Sequence, residues 1–215
     1  MLGQSITRNS VLLALFAVCT TLLIAGTYLL TKDDIALQIR QAEERALLQI
    51  VPRSRHDNSM LDDTLPVGPQ SVGLGLRQDK RIYVAREEGK VVAVILPAVA
   101  PDGYTGAIDL IVGVNRDGTV AGVRALNHRE TPGLGDKVDI KKSDWITSFD
   151  GHSLTNPQPE GWAVKKDRGI FDQFTGATIT PRAVVAATLG ALQYAQAHRK
   201  LLFEEPDETP VGDDS

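Results

Sequence analysis

The sequence predicts an α+β protein in which a single N-terminal transmembrane helix is followed by a domain with an antiparallel sheet and packed helices. Three observations predict it: an uncharged apolar stretch at residues 9–31, apolar runs separated by glycine-bearing turns from Arg81 onward, and a long apolar helical pattern from Pro181. The 215 residues suffice for one main domain with appendages.

The apolar stretch is long enough to be a membrane anchor. As a helix, residues 9–31 would extend about 34 Å, which exceeds the hydrocarbon layer of about 30 Å. A cleaved signal peptide usually has a shorter apolar core of about 7–15 residues. The bulky Val18 before Cys19 argues against a lipidated cysteine. We therefore expect an uncleaved, single-pass anchor.

The charges around this span predict its orientation. Arg8 precedes it, whereas Lys32 is followed at once by Asp33 and Asp34. The positive-inside tendency then places the N-terminus in the cytoplasm and the main domain in the periplasm, at the inner membrane of a bacterium. The expected organisation is a cytoplasmic N-terminus (1–8), a transmembrane helix (9–31), a juxtamembrane helix and linker (32–78), a periplasmic domain (79–202) and an acidic disordered tail (203–215).

Two hairpins are predicted in the main domain. RIYVAR and KVVAVILPAV are joined by a turn that contains Gly89, and AIDLIVGV and TVAGVRAL flank a turn at residues 115–118. These four strands would form one antiparallel sheet. The apolar face from Pro181 to His198 predicts a helix, whereas residues 53–78 lack periodicity and are expected to be an irregular connection.

Composition and charge exclude several classes of function. The chain has 27 acidic and 23 basic residues, so a nucleic-acid partner is not expected. The lone Cys19 excludes an intrachain disulfide and a self-contained iron–sulfur cluster, and the histidines form no short-spaced metal pair. The sequence has no G-x-S-x-G element and no plausible Cys–His pair, so a hydrolase is not expected. No catalytic side chain and no metal site are assigned.

The segment of residues 172–178 carries the clearest chemical signal. Gly176 and Ala177 allow close approach of the backbone to a ligand, and a helix begins just after them. Thr180 can cap that helix with its hydroxyl while Pro181 occupies the first turn, and a helix N-terminus also favours an anion. These residues by themselves support a phosphate site and a plain capped helix equally well.

The same segment resembles a known modification signature. Residues 172–178 match D-x-x-[ST]-G-A-T, at which a flavin transferase attaches FMN through a phosphoester. The resemblance implies that Thr178 becomes a phosphoryl-linked threonine carrying covalent FMN, and that Asp172 serves maturation. It also implies that Thr175, Gly176, Ala177 and Thr180 belong to the cofactor-binding site.

A second block strengthens this resemblance. Gly103-Tyr104-Thr105-Gly106 and the loop Glu130-Thr131-Pro132-Gly133-Leu134-Gly135 resemble the FMN-binding domain of the G subunit of the Rnf/Rsx electron transport complex. The C subunit of the Na⁺-translocating NADH:quinone reductase is a relative of that family. The resemblance implies that the loop lies beside the flavin, with Thr131 and Leu134 against the ring and the amides of the glycine segment at its polar edge. The implied binding residues of this loop are Glu130, Thr131, Gly133, Leu134 and Gly135.

The resemblance implies a covalent-FMN electron carrier that is a non-autonomous redox component of an ion-translocating complex. Such a complex couples electron transfer between ferredoxin and NAD, or toward a redox-sensing regulator, to ion translocation. The implied partners are the other Rnf/Rsx subunits, a flavin transferase and the membrane. Two alternatives stay open: a component of a quinone reductase that resembles its C subunit, and a membrane-anchored scaffold without a redox role. The uncharged span offers no ion path of its own.

Overall fold

A computed structural model describes residues 2–204, with side chains from residue 8 onward. These residues form two compact units that divide between Glu43 and Glu44. In chain order the helices and strands are α1 (Leu2–Leu48), β1 (Thr64–Val67), β2 (Lys80–Glu87), β3 (Lys90–Ala100), β4 (Ile108–Asn115), β5 (Val120–Asn127), α2 (Ile179–Ala197) and α3 (Arg199–Phe203). Short 3-10 helices lie at Arg53–Arg55, Gly135–Val138, Asp144–Phe149, Pro159–Gly161 and Lys165–Asp167.

The apolar N-terminal stretch lies in α1, which is continuous over its whole length. Within the described residues, the part of α1 from Arg8 to Leu48 is the one helix that is long and apolar enough to cross a membrane. Its threonines Thr20, Thr27 and Thr31 donate their hydroxyls to carbonyls four residues earlier, at 2.7 to 2.9 Å. These bonds satisfy the hydroxyls without water.

The sheet is antiparallel with the order β1-β2-β3-β4-β5, so every strand pairs with its neighbour in the chain. The four predicted strands are confirmed as β2 to β5. Strand β1 is not predicted by the sequence; it pairs with β2, with Thr64 opposite Tyr83. It has four residues, one of which is Pro66, and it lies at the sheet edge. A strand this short shows no alternation of apolar and polar residues. Proline is tolerated in an edge strand because the side of the strand that faces away from the sheet needs no N–H donor.

Each face of the sheet buries its own cluster of apolar side chains. One face packs against α2 and α3 and against aromatic residues of the segment 143–174. The other face is covered by the segment after residue 46, through Leu47, Ile50, Val51 and Met60. Residues 53–78, expected to be irregular, therefore contribute both β1 and part of this second cluster.

The C-terminal helix begins earlier than predicted. Helix α2 starts at Ile179, and its N-cap is Thr178, with φ −82° and ψ −25°. The expectation that Thr180 caps the helix is therefore wrong: Thr180 is fully buried inside the first turn and its hydroxyl is used elsewhere. At the other end, Phe203 is buried as the last residue of α3. The remainder of the predicted acidic tail, from residue 205, lies outside the described residues.

Candidate functional site

The carboxylate of Glu130 joins three segments that are distant in sequence. Its side chain is buried, with 4% exposure. Oε1 accepts hydrogen bonds from the backbone N–H and the hydroxyl of Thr105, both at 3.1 Å. Oε2 accepts a hydrogen bond from the hydroxyl of Thr180 in α2. Glu130 thus ties the loop between β3 and β4, the loop after β5 and the start of α2 into one unit.

A buried carboxylate is stable only when donors surround it. Hydrogen bonds to a charged acceptor are also stronger than those between neutral groups. The three hydrogen bonds that Thr105 and Thr180 donate therefore offset the free-energy cost of removing the Glu130 carboxylate from water. Because both oxygens are engaged, Glu130 acts on the site by positioning the segments around it.

Two glycines of the motifs leave room for this carboxylate. A Cβ atom on Gly135 would lie 2.5 Å from Glu130 Oε2 and 2.9 Å from Thr180 Oγ1. A Cβ atom on Gly103 would lie 2.9 Å from Glu130 Oε1. These distances are too short for a real contact, so any larger residue at either position would displace the carboxylate.

The loop after Glu130 folds back on its own first carbonyl. Thr131 O accepts from the N–H groups of Leu134 and Gly135, both at 3.1 Å, and from that of Asp136 at 3.4 Å. The resemblance implies that the glycine amides of this loop bind the flavin edge, but the Gly135 amide is used inside the loop. Gly133 is required for its backbone angle, since its φ is +79° and a Cβ atom there would meet nothing within 4 Å.

The segment before α2 forms a tight turn at the surface. Ala177 N–H donates to Phe174 O at 3.1 Å, and Gly176 has a φ of +80°, which only glycine adopts readily. Thr175 and Gly176 are exposed at the tip of this turn. A Cβ atom on Gly176 would lie 3.6 Å from Leu134 Cδ2. The two motifs, about forty residues apart in the chain, therefore adjoin in space.

Thr178 lies between this turn and α2. It is half-buried, and its hydroxyl makes no capping bond to the helix. The first N–H groups of a helix and its dipole favour a negative charge at this end. A threonine hydroxyl that caps nothing is therefore placed where a phosphate would be stabilised.

Asp172 is presented on the surface by a fixed backbone. Its carbonyl accepts a hydrogen bond from Trp145 Nε1 at 2.7 Å, and its exposed carboxylate pairs with Lys165 Nζ at 2.6 Å. The nearby Arg182 donates two hydrogen bonds to Asp167, at 2.5 and 2.6 Å, and these bonds lower the pKa of the Asp167 carboxyl. The Arg182 guanidinium is thus already engaged by a carboxylate.

One residue of the site is not singled out by the sequence. Asp136, directly after Gly135, is buried with 8% exposure, and its Oδ1 has no hydrogen-bond partner among the described residues. Its only sequence signal is a carboxylate next to a glycine-rich loop, which is usually a solvated turn. The residues available to hold a cofactor are the uncapped Thr178, the glycine backbone of the two motifs and the exposed Leu134.

Comparison with known proteins identifies the domain that contains these segments. A family model described as an FMN-binding domain matches residues 103–193, and one described as the RnfG N-terminal region matches residues 1–50. The chain is 50% identical over 200 residues to the G subunit of the ion-translocating oxidoreductase complex of Pseudomonas aeruginosa, a match that covers 93% of each chain. It is 47% identical over 205 residues to the G subunit of Pseudoalteromonas atlantica, covering 95% of each.

Among solved structures, the chain is similar to a crystal structure of Shewanella oneidensis NqrC, with 25% sequence identity and a TM-score of 0.48 over 70% of this chain and 72% of that one. The two G subunits match over more than nine-tenths of the chain, and the family models match both the N-terminal helix and the FMN-binding domain. The chain therefore belongs to the RnfG family, the G subunits of ion-translocating oxidoreductase complexes.

Proposed function

We propose that this chain is a covalent-FMN electron carrier, with the flavin linked by a phosphoester to Thr178. One observation carries the proposal: Thr178 is the N-cap of α2, yet its hydroxyl does not cap the helix. It lies between the exposed turn at Gly176, which adjoins Leu134, and a helix start held by Glu130. The match to a D-x-x-[ST]-G-A-T signature supports the same residue.

The linkage chemistry requires an activated flavin nucleotide and an enzyme that positions it. The Thr178 Oγ–P bond forms as the phosphoanhydride bond of the donor breaks; the second nucleotide leaves as its monophosphate, and the hydroxyl proton passes to a base of the transferase. No atom changes oxidation state. The exposed Asp172, six residues before the acceptor, is accessible to the transferase and serves recognition.

The residues of this chain hold and shield the cofactor. Glu130 fixes the start of α2, so the threonine oxygen has a defined position relative to the loop after β5. The exposed Leu134 and the adjoining turn at Gly176 provide apolar and backbone surface for the ring. Bound FMN supplies the electron transfer, and the covalent bond keeps it from diffusing away.

The proposed setting is the periplasmic face of the bacterial inner membrane. Arg8 before the span and the acids after it favour a cytoplasmic N-terminus. There the chain would pass electrons among the other Rnf/Rsx subunits, in a complex that links ferredoxin and NAD, or a redox-sensing regulator, to ion translocation. The names of the two relatives reported above, both G subunits, favour this function over that of a quinone reductase component.

The test is to express the full chain with a flavin transferase exported to the same compartment. We expect flavin fluorescence in the denatured gel band, on the peptide that contains Thr178. Thr178→Ala should abolish it and Thr178→Ser should retain it. Ser148→Ala, which removes an exposed hydroxyl outside the motif, is the matched control. A dark wild-type band beside an active transferase, or fluorescence retained by Thr178→Ala, would refute the proposal.

The same variants distinguish a carrier from an anchored scaffold. In the carrier, Thr178→Ala assembles into the complex at the wild-type level but stops electron flow, because only the attachment oxygen is lost. In a scaffold, the variant leaves both assembly and electron flow intact. Co-purification of the other subunits measures the first property, and the reduction rate of the assembled complex measures the second.

A further inference from the structure

The segment that directly follows α1 packs into a notch in the sheet. Ile50, two residues after the end of α1, is buried with 3% exposure. It lies over Gly113 of β4 and Gly122 of β5, which face each other in the register of the two strands. A Cβ atom on Gly113 would lie 2.2 Å from Ile50 Cγ2, and one on Gly122 would lie 3.4 Å from it. The first distance is too short for a real contact, so Ile50 requires glycine at position 113.

A half-buried arginine holds the residue before Ile50. Arg124 of β5 donates through Nε to the side-chain Oε1 of Gln49 and through Nη2 to the carbonyl of Gln49, both at 3.1 Å. Carbonyls at the C-terminal end of a helix lack a partner within the helix and favour a nearby cation. The end of α1 is therefore tied to β5 by hydrogen bonds as well as by packing.

The chain stays attached to the sheet after this point. Arg55 donates to Asn115 Oδ1 at 2.9 Å. The side-chain oxygen of Asn58 accepts from the Arg86 N–H at 2.9 Å, and Met60 is buried in the same apolar cluster as Ile50. Strand β1 then pairs with β2. Contacts to the sheet thus recur every few residues, so this segment does not form the free linker that the sequence predicts.

We propose that residues 44–63 are a mount that joins the flavin domain to the end of α1, so that residues 32–43 alone form the tether to the membrane span. As a helix, these twelve residues extend about 18 Å. A flexible arm of residues 32–78 would instead have a root-mean-square length of about 35–40 Å. A short, stiff tether concentrates the flavin near its own anchor. The flavin then exchanges electrons with redox centres that are held in the membrane beside that anchor.

The first measurement is trypsin cleavage of the full chain in detergent, with mass mapping of the cuts at Arg53 and Arg55. Cleavage of an ordered segment requires local opening, so the wild-type chain should be cut slowly at both sites. We expect Ile50→Ala to accelerate these cuts about tenfold or more, because the notch is left unfilled. Ile39→Ala removes the same atoms from an exposed position of α1 and should be cut at the wild-type rate. Equal rates in all three chains would overturn the mount.

The second measurement places the same flexible glycine–serine insert, of about twelve residues, either between Glu43 and Glu44 or between Arg77 and Gln78. With a mount, only the first insert lengthens the tether, because residue 77 follows the attached segment. We expect the first insert to slow reduction of the assembled complex about five- to tenfold and the second to leave it at the wild-type rate. Co-purification of the other subunits should be unchanged for both. Equal effects of the two inserts, or no effect of either, would overturn the inference.

The electron-transfer part of this inference rests on the proposed function, and gel fluorescence separates the two ways of failing. If the wild-type band stays dark, the proposed function has failed, whereas the trypsin rates still decide whether the mount exists. If the band is fluorescent but both inserts act equally, the inference is overturned while the proposed function stands. Should Ile50→Ala not fold, the two inserts decide, and should the insert after Glu43 not assemble, the trypsin rates decide.

Discussion

Glu130→Gln tests whether one buried carboxylate holds the site together. The change preserves the shape of the side chain but replaces one oxygen with an NH₂ group. Oε1 must remain an oxygen because Thr105 N–H can only donate, so the new NH₂ group faces Thr180 Oγ1. The Thr180 hydroxyl then has to accept a hydrogen bond and loses its own acceptor.

The magnitude follows from these bonds. The two bonds from Thr105 become neutral ones, and the bond from Thr180 is reversed. A hydrogen bond to a charged group contributes about 1.5–3 kcal/mol and a neutral one about 0.5–1.5 kcal/mol. Removing the buried charge offsets part of the loss, so we expect a net destabilisation of about 2 kcal/mol. For a chain of this size that corresponds to a thermal midpoint lower by about 4–8 °C.

The assay is urea and thermal unfolding of the flavin-free chain in detergent, followed by tryptophan fluorescence. Glu160→Gln makes the same chemical change at an exposed position and should leave stability unchanged. Glu130→Gln should also slow flavinylation, since the start of α2 loses its tie to the other two segments. Stability equal to or above wild type would show that the carboxylate does not hold these segments, and the positioning role would have to be abandoned.

Two further predictions concern the turns of the domain. Gly176→Ala places a side chain on a backbone with a φ of +80°, so it should lower the free energy of unfolding by about 1–2 kcal/mol and slow flavinylation. Scanning fluorimetry measures the stability and gel fluorescence the flavinylation. Wild-type values of both would contradict a strained turn. In the β4–β5 turn, hydrogen bonds from Thr119 lower the pKa of Asp117. The folded pKa lies below the unfolded one, so the ionised carboxylate contributes stability at neutral pH that is lost as the pH falls through the folded pKa. Asp117→Asn should therefore be less stable than wild type in urea at neutral pH, with a difference that vanishes in strong acid; a gap independent of pH would refute this.

Much of the fold follows from local patterns. The uncharged stretch at residues 9–31 lies within a continuous helix, and strands β2 to β5 occur where apolar runs and turn residues predict them. Hairpin strands are joined by short turns, so the residues that specify the pairing lie close together in the chain. Strand β1 is not predictable in this way because its pairing depends on the edge that β2 offers, and four residues carry no pattern of their own.

The candidate site shows the same division. Thr178 and the glycine-rich loop are identifiable from short motifs, because the proposed attachment signature consists of residues that are adjacent in sequence. The roles of Thr180 and Gly135 depend on Glu130, which faces them and is fifty residues from Thr180 in the chain. Local patterns favour Thr180 as the cap of its helix, but the buried carboxylate of Glu130 takes its hydroxyl. Local propensity determines where a helix or a turn forms, whereas the partner of a buried polar group is decided only when distant segments pack and exclude water.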